Sequence, residues 1–189
     1  MSRNATEPRR HRLTVEDYYR MGEVGILAPD ARVELIDGEI IDMPPIGPPH
    51  AGTVNRLVRL LGRAVGDRAV LLVQNPVVLS RHSAPQPDLA LALPRADFYA
   101  SRHPGPADAV LVIEVADTTL PFDRDVKIGL YARHGIREVW LIDVQAKHLV
   151  RYRTPQRVAY AGVDQPDLGS PLDIAALPGT HIDLSTLFA

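Results

Sequence analysis

The sequence predicts an α/β fold, a mixed β-sheet flanked by helices, with a helix and a β-hairpin ahead of it. Three patterns carry this. Ala109–Ala116 reads Ala-Val-Leu-Val-Ile-Glu-Val-Ala, a nearly continuous apolar run of the kind buried on both faces. A helical stretch, 123–134, connects it to a second run, 138–144, and a helix crossing between two buried strands suggests a parallel βαβ unit. Several short β-type runs punctuated by turn residues surround that unit and add antiparallel strands.

Each element has its own justification. Residues 1–12, with Arg3, Arg9, Arg10 and Arg12, read as a basic tail. Thr14-Val-Glu-Asp17 is a capping-box start, and a short helix runs from it to about Met21. After a loop at 22–29, residues 32–43 form a hairpin around the turn pair Asp37-Gly38. Val33 and Leu35 share one strand face, so Glu34 takes the other. The run 44–49 holds four prolines and is a stiff loop. Residues 50–65 have helical period, with Val54, Leu57, Val58, Leu61 and Val65 on one side. Arg56, Arg59 and Arg63 gather opposite, either as a phosphate-facing stripe or as a solvated face suited to a helix C-terminus. Runs 69–74, 76–80, 86–93 and 109–116 are β-rich. Helix 123–134 ends at Gly135, and 138–144, 148–153 and 158–162 continue as strands. From 164 the chain is rich in Pro, Gly and Asp, and irregular structure is expected, packed by Leu172, Ile174, Leu177, Ile182, Leu184, Leu187 and Phe188.

Composition excludes several classes. The chain has 189 residues, about one domain's length. With 46% hydrophobic and 23% charged residues it is neither disordered nor fibrous. There is no cysteine, hence no disulfide framework, zinc–cysteine site or thiol nucleophile. A net charge of −2 argues against coating nucleic acid by electrostatics alone but leaves room for a local patch. No apolar run approaches a membrane span, and the N-terminal arginines have no apolar core behind them, so a cytoplasmic protein is expected. Gly-x-Ser-x-Gly and the phosphate-binding Gly-x-x-x-x-Gly-Lys loop are absent.

The chemistry-bearing candidates are few. Glu114 sits inside the buried run, where a carboxylate must be paired, protonated or metal-bound. Asp88 follows Pro85-Gln-Pro at the start of another run, a place where a strand can begin after proline. Two strand-borne acids facing each other suit a hard divalent cation, since Mg²⁺ takes one or two carboxylates and keeps several waters. The alternative is that Asp88 caps a turn and Glu114 meets a buried arginine. Asp123, Lys127, Tyr131 and His134 fall on one face of the helix after the Glu114 strand. Lys127 is one of only two lysines beside 19 arginines, and lysine is a compact donor with a movable pKa. Read blandly, Asp123–Lys127 is a surface pair worth about 0.2–0.5 kcal/mol, for which arginine would serve as well.

Pro87-Asp88 followed by Glu114-Val115-Ala116 resembles the PD-(D/E)XK nuclease superfamily, with Ala116 where lysine is typical. Lys127 could supply the ammonium from the next helix. That migrated-lysine pattern is similar to the Uma-two family of restriction-endonuclease-like proteins. The resemblance runs from about Leu13 to Arg153 and includes Glu34-Leu-Ile-Asp-Gly-Glu39, the proline loop into His50, and Asp123-Arg-Asp-Val-Lys127 with Tyr131. It also takes in Gly135-Ile-Arg-Glu-Val-Trp140 with Asp143. It implies a restriction-endonuclease-like sheet over 13–189, with 154–189 as a C-terminal extension. It implies Mg²⁺, or Mn²⁺, held by Asp88 and Glu114, Lys127 as a catalytic cation, DNA as substrate and a homodimer. Glu34 resembles the family's glutamate before the turn and either reaches the metal through water or makes a structural hydrogen bond. His50 either touches substrate or metal or caps and packs. Trp140 and Asp143 are expected to be structural. The competing expectation is an idle nuclease fold that binds nucleic acid or protein; the presence of Asp88, Glu114 and Lys127 together favours the enzyme.

Overall fold

The computed structural model describes residues 10–189; residues 1–9 of the expected tail lie outside the described part. Helix α1 (Val15–Glu23) starts at the capping box, with Thr14 accepting from Asp17 N–H and donating its own N–H back to the Asp17 carboxylate at 2.8 Å. Strands β1 (Val33–Ile36) and β2 (Glu39–Asp42) pair antiparallel around Asp37-Gly38, both at positive φ, the mirror-image turn that matches strand twist. A Cβ on Gly38 would meet the Arg12 backbone at 2.9 Å, so only glycine fits there. Helix α2 (Pro48–Val65) begins two residues before the expected start, because proline is tolerated in a helix's first turn. A 3₁₀ turn, Gly66–Arg68, leads into β3 (Val70–Val73), and β4 (Leu89–Ala92) and β5 (Ala109–Ala116) follow.

The expected strand at 76–80 is not part of the sheet. Val77 and Leu79 donate to the Pro85 and Ser83 carbonyls, closing a local loop with a single bridge at Ser80–Ser83. Pro76 and Pro85 offer no ladder donors, while Val77 and Leu79 still bury their side chains.

The expected helix at 123–134 starts earlier and is not uniform. α3 (Leu120–Phe122) runs into a π-helical turn, Asp123–Lys127, and then α4 (Ile128–Arg133). Gly135 ends it at φ 74°. Strands β6 (Glu138–Asp143), β7 (His148–Gln156) and β8 (Ala159–Asp164) complete a six-stranded sheet of order β3-β4-β5-β6-β7-β8. β5 and β6 are parallel, as the βαβ pattern requires, and every other pair is antiparallel. Two short strands, β9 (Leu172–Asp173) and β10 (His181–Ile182), pair near the C-terminus.

Two cores sandwich the sheet. Ile113 and Val115 face α2, and Leu172, Ile174, Leu177, Ile182, Leu184 and Leu187 fill the same core beside Leu57, Leu61 and Trp140. Arg56 is tied to this segment through the Leu187 carbonyl at 3.2 Å, so the arginine stripe is in part a structural anchor. Val112 and Ala116 face the other side, against Ile128, Leu130, Tyr131 and Ile136. By strand alternation Glu114 points to this second side. No helix among the described residues is long and apolar enough to cross a membrane.

Candidate active site

Three backbone features bring the site together. β4 and β5 pair with Leu89 opposite Ile113, which sets Asp88 across from Glu114 at the edge of the ladder. The π-turn after β5 returns Lys127 over the same sheet face. The β1–β2 hairpin, linked to the loop before β4 by a Leu35–Ala84 bridge, brings Glu34 in from the side.

Lys127 is 1% exposed and sits among three carboxylates. Its ammonium donates to Glu34 Oε1 at 2.9 Å and lies 3.2 Å from Glu114 Oε1 and 3.7 Å from Asp123 Oδ1. The surface-pair reading is therefore excluded: Asp123 is the most distant of the three partners, and the nearest comes from 93 residues away. Among the described residues Glu114 meets no arginine; it meets Lys127 and the Tyr131 hydroxyl, which donates to Oε1 at 2.5 Å. Asp88 Oδ2 accepts the Val115 N–H at 2.9 Å, and Oδ1 lies 3.0 Å from His50 Nε2 and 3.4 Å from the Gln74 amide nitrogen.

The charges do not balance. A cleft of about 350 Å³ is lined by the carboxylates of Glu34, Asp88, Glu114, Asp117 and Asp123 against two cations, Arg32 and Lys127. Burial lifts the Glu114 carboxyl well above the ordinary carboxylate range, and Asp123, Asp88 and Glu34 add to this against the pull of Lys127. Burial likewise raises Glu34 and Asp123, with Lys127 opposing in both cases. Burial works against the Lys127 ammonium, but Glu114, Glu34 and Asp123 together outweigh it and keep it charged. Burial and then Glu114 hold the Tyr131 hydroxyl protonated. Glu34 Oε2 and His50 Nδ1 are buried without a hydrogen-bond partner among the described residues.

These donors suit a hard cation. Asp88 and Glu114 offer oxygen from adjacent strands, carboxyl groups outnumber cations in the cleft lining, and Glu34 keeps one oxygen without a partner among the described residues. Among the described residues no group of three His, Asp or Glu side chains converges as a full ligand cage.

Some residues do not join the site. Trp140 is fully buried and donates to Glu138 at 2.8 Å, and Asp143 accepts the Ala146 N–H, so both are structural. His134 hydrogen-bonds the Leu130 carbonyl. His50 lies in the cleft and pairs with Asp88, a partner that its position behind a rigid proline loop does not reveal.

A six-stranded mixed sheet flanked by helices, with acids on two neighbouring strands and a lysine from the next helix beside them, is the fold class of a nuclease. A similar fold is found in the crystal structure of a putative nuclease belonging to DUF820 from Anabaena variabilis. It has a TM-score of 0.67 and 17% identity, covering 93% of this chain and 97% of that one. The Uma2 family, described as "Putative restriction endonuclease", matches residues 15–185, and the chain belongs to it. The match takes in the C-terminal segment, where the sequence showed no motif. No curated protein matches the chain.

Proposed function

We propose that the protein is a divalent-metal-dependent endonuclease that hydrolyses phosphodiester bonds of DNA in this cleft. The observation that carries the reading is the surplus of buried carboxylate around one buried lysine. A purely structural cluster would be costly to keep, since unpaired buried charge is among the most destabilising features a fold can hold.

Asp88 and Glu114 would hold the cation, Mg²⁺ or Mn²⁺. Bound there, a divalent ion supplies Lewis acidity to the phosphate and makes water a better nucleophile. The rest falls to the chain. Lys127 lines the cleft floor, and its ammonium stabilises charge that develops on the phosphate oxygens. Glu34 fixes Lys127 through Oε1, which makes it a positioning residue. Tyr131 fixes Glu114, while the Val115 amide and His50 fix Asp88. Ala116 stands where the superfamily resemblance expects lysine, and Lys127 would supply the ammonium from the π-helical turn instead.

The test is cleavage of supercoiled plasmid and of labelled oligonucleotides. The wild type is expected to cut in Mg²⁺ or Mn²⁺ and not in chelator. Lys127→Arg keeps a charge but places a larger, planar donor in a fully packed position, and a loss of roughly 10²–10³ in kcat is expected, the size typical of one preorganised electrostatic donor. Full activity of Lys127→Arg would remove the lysine-specific part of the reading. The superfamily resemblance adds a homodimer; sedimentation at high protein concentration tests it separately.

A further inference from the structure

We propose that the cleft accepts an unpaired stretch of DNA, one nucleotide entering at a time, and not the backbone of an intact duplex. This rests on the nuclease reading of the same site and names its substrate class.

The first argument is depth. Lys127, Glu114, Glu34 and Asp123 are only 1–3% exposed, so a phosphate reaches them only by entering the cleft. At about 350 Å³ the cleft is near the lower end of the roughly 300–1,000 Å³ range of small-ligand sites, which leaves room for about one nucleotide. A phosphate on the convex wall of a duplex is flanked by its neighbours and by the second strand, and cannot descend alone unless the nucleotide leaves the stack.

The second argument is stiffness. One wall is Met43–Gly47, with Pro44 and Pro45 inside it and Pro48 and Pro49 directly after. Proline fixes φ, so the wall has little freedom to swing aside. It is also tied down: Met43 N–H donates to the Arg32 carbonyl at 2.8 Å, and the Arg32 guanidinium holds the Pro44 carbonyl. Asp117–Thr119 adjoins this wall, the Asp117 carboxylate lying 3.6 Å from where a Cβ on Gly47 would sit, and is anchored by a hydrogen bond from Gln145 to Asp117.

The third argument is chemistry. A duplex presents a charge about every 1.7 Å and needs a track of cations. Among the described residues the lining offers one cation besides Lys127, Arg32, and it includes the carboxyl group of Asp117. An unpaired nucleotide brings one phosphate and an exposed base. Met43, Pro44, Pro45 and Ile46 give that base an apolar surface, with Ile46 39% exposed. Gln74 and Gln86 reach the same cleft, and an amide can both donate to and accept from a base edge. Gln74 holds φ 52°, a left-handed conformation that few side chains adopt, and its amide nitrogen lies 3.4 Å from Asp88 Oδ1.

The experiment measures binding and cutting apart. Fluorescence anisotropy in Ca²⁺, at physiological salt, compares one labelled oligonucleotide as a single strand, as a full duplex, and as a duplex carrying a short bulge. The single strand and the bulge are expected to bind roughly tenfold tighter than the duplex, near the low end of what stacking on an aromatic ring provides because this platform is aliphatic. Ile46→Ser is expected to remove most of that preference and to leave duplex binding unchanged. Equal or tighter binding of the duplex, no binding of the single strand, or an unaltered preference in Ile46→Ser would each overturn the inference. Cleavage rates in Mg²⁺ on the same three substrates separate the two claims. No cutting of any substrate, with the binding preference intact, sinks hydrolysis and keeps the pocket assignment. Equal cutting of duplex and unpaired strand keeps hydrolysis and sinks the pocket assignment.

Discussion

Replacing Lys127 by methionine isolates what the buried cation does for the fold. Methionine fills nearly the same volume, so little of the effect comes from a cavity. The ammonium has three carboxylate contacts at 2.9, 3.2 and 3.7 Å. At an effective dielectric of ~20 each contributes roughly 5 kcal/mol before the cost of taking the charges out of water. Most of that gross attraction is cancelled by desolvation. Breaking a buried ion pair from one side typically costs about 3–5 kcal/mol, because the partners are left buried without compensation. For a chain of this size 1 kcal/mol moves Tm by about 2–4 °C. Lys127→Met is therefore expected to melt roughly 6–20 °C below the wild type at neutral pH, followed by circular dichroism in chelator. Adding Glu34→Gln, which removes the nearest orphaned charge, should recover part of the loss, since the two sites are in direct contact and couple. A Lys127→Met protein that melts at or above the wild-type temperature would refute the reasoning. It would mean that the three acids are neutral in the folded state and need no counter-ion.

Other consequences follow from the same geometry. Tyr131→Phe removes one hydroxyl from Glu114, and a stability loss of about 1.5–3 kcal/mol by urea titration is expected, with slower cleavage and unchanged DNA affinity. Ile182→Ala, 1% exposed in the core under α2, should cost about 2–5 kcal/mol, which would show the C-terminal segment to be part of the fold and not an appendage. The hydrogen bond from Arg102 holds the Asp108 carboxyl below its ordinary value, so the contribution of this pair is present above about pH 4 and lost as pH falls through the lower folded-state value. Amide exchange should show the loop carrying Arg102 and Asp108 loosening in acid before the sheet does; simultaneous loosening would contradict that assignment.

The parts of the fold legible in the sequence were those encoded locally. The capping box at Thr14, the Asp37-Gly38 turn, the apolar period of α2 and the double-faced run of β5 each sit within a few residues, where periodicity and turn chemistry act. Glu114 was conspicuous because a lone acid in a buried run demands an explanation, and Lys127 because lysine is so rare in this chain. What local pattern could not give was partnership. Lys127 pairs with Glu34 from a hairpin 93 residues earlier, His50 finds Asp88, and no spacing rule links either pair. Glu138 is a clearer case: fully buried, it accepts from Trp140, Arg153 and the Ala175 amide, tying β6, β7 and the C-terminal segment together. It looked like the first residue of an ordinary strand. The π-turn at Asp123–Lys127 was also invisible, since a single widened turn shifts the face of Lys127 without disturbing the apolar period on either side.

The most direct measurement of the central claim is a crystal structure of the protein soaked in Mn²⁺, with the ion located by its anomalous signal. The expected result is a peak in the cleft bonded to carboxylate oxygens of both Asp88 and Glu114, with Lys127 Nζ facing the same space, and its loss in Glu114→Gln. A cleft that stays without a peak at saturating Mn²⁺, or an ion bound elsewhere while Asp88 and Glu114 keep only their protein partners, would contradict it.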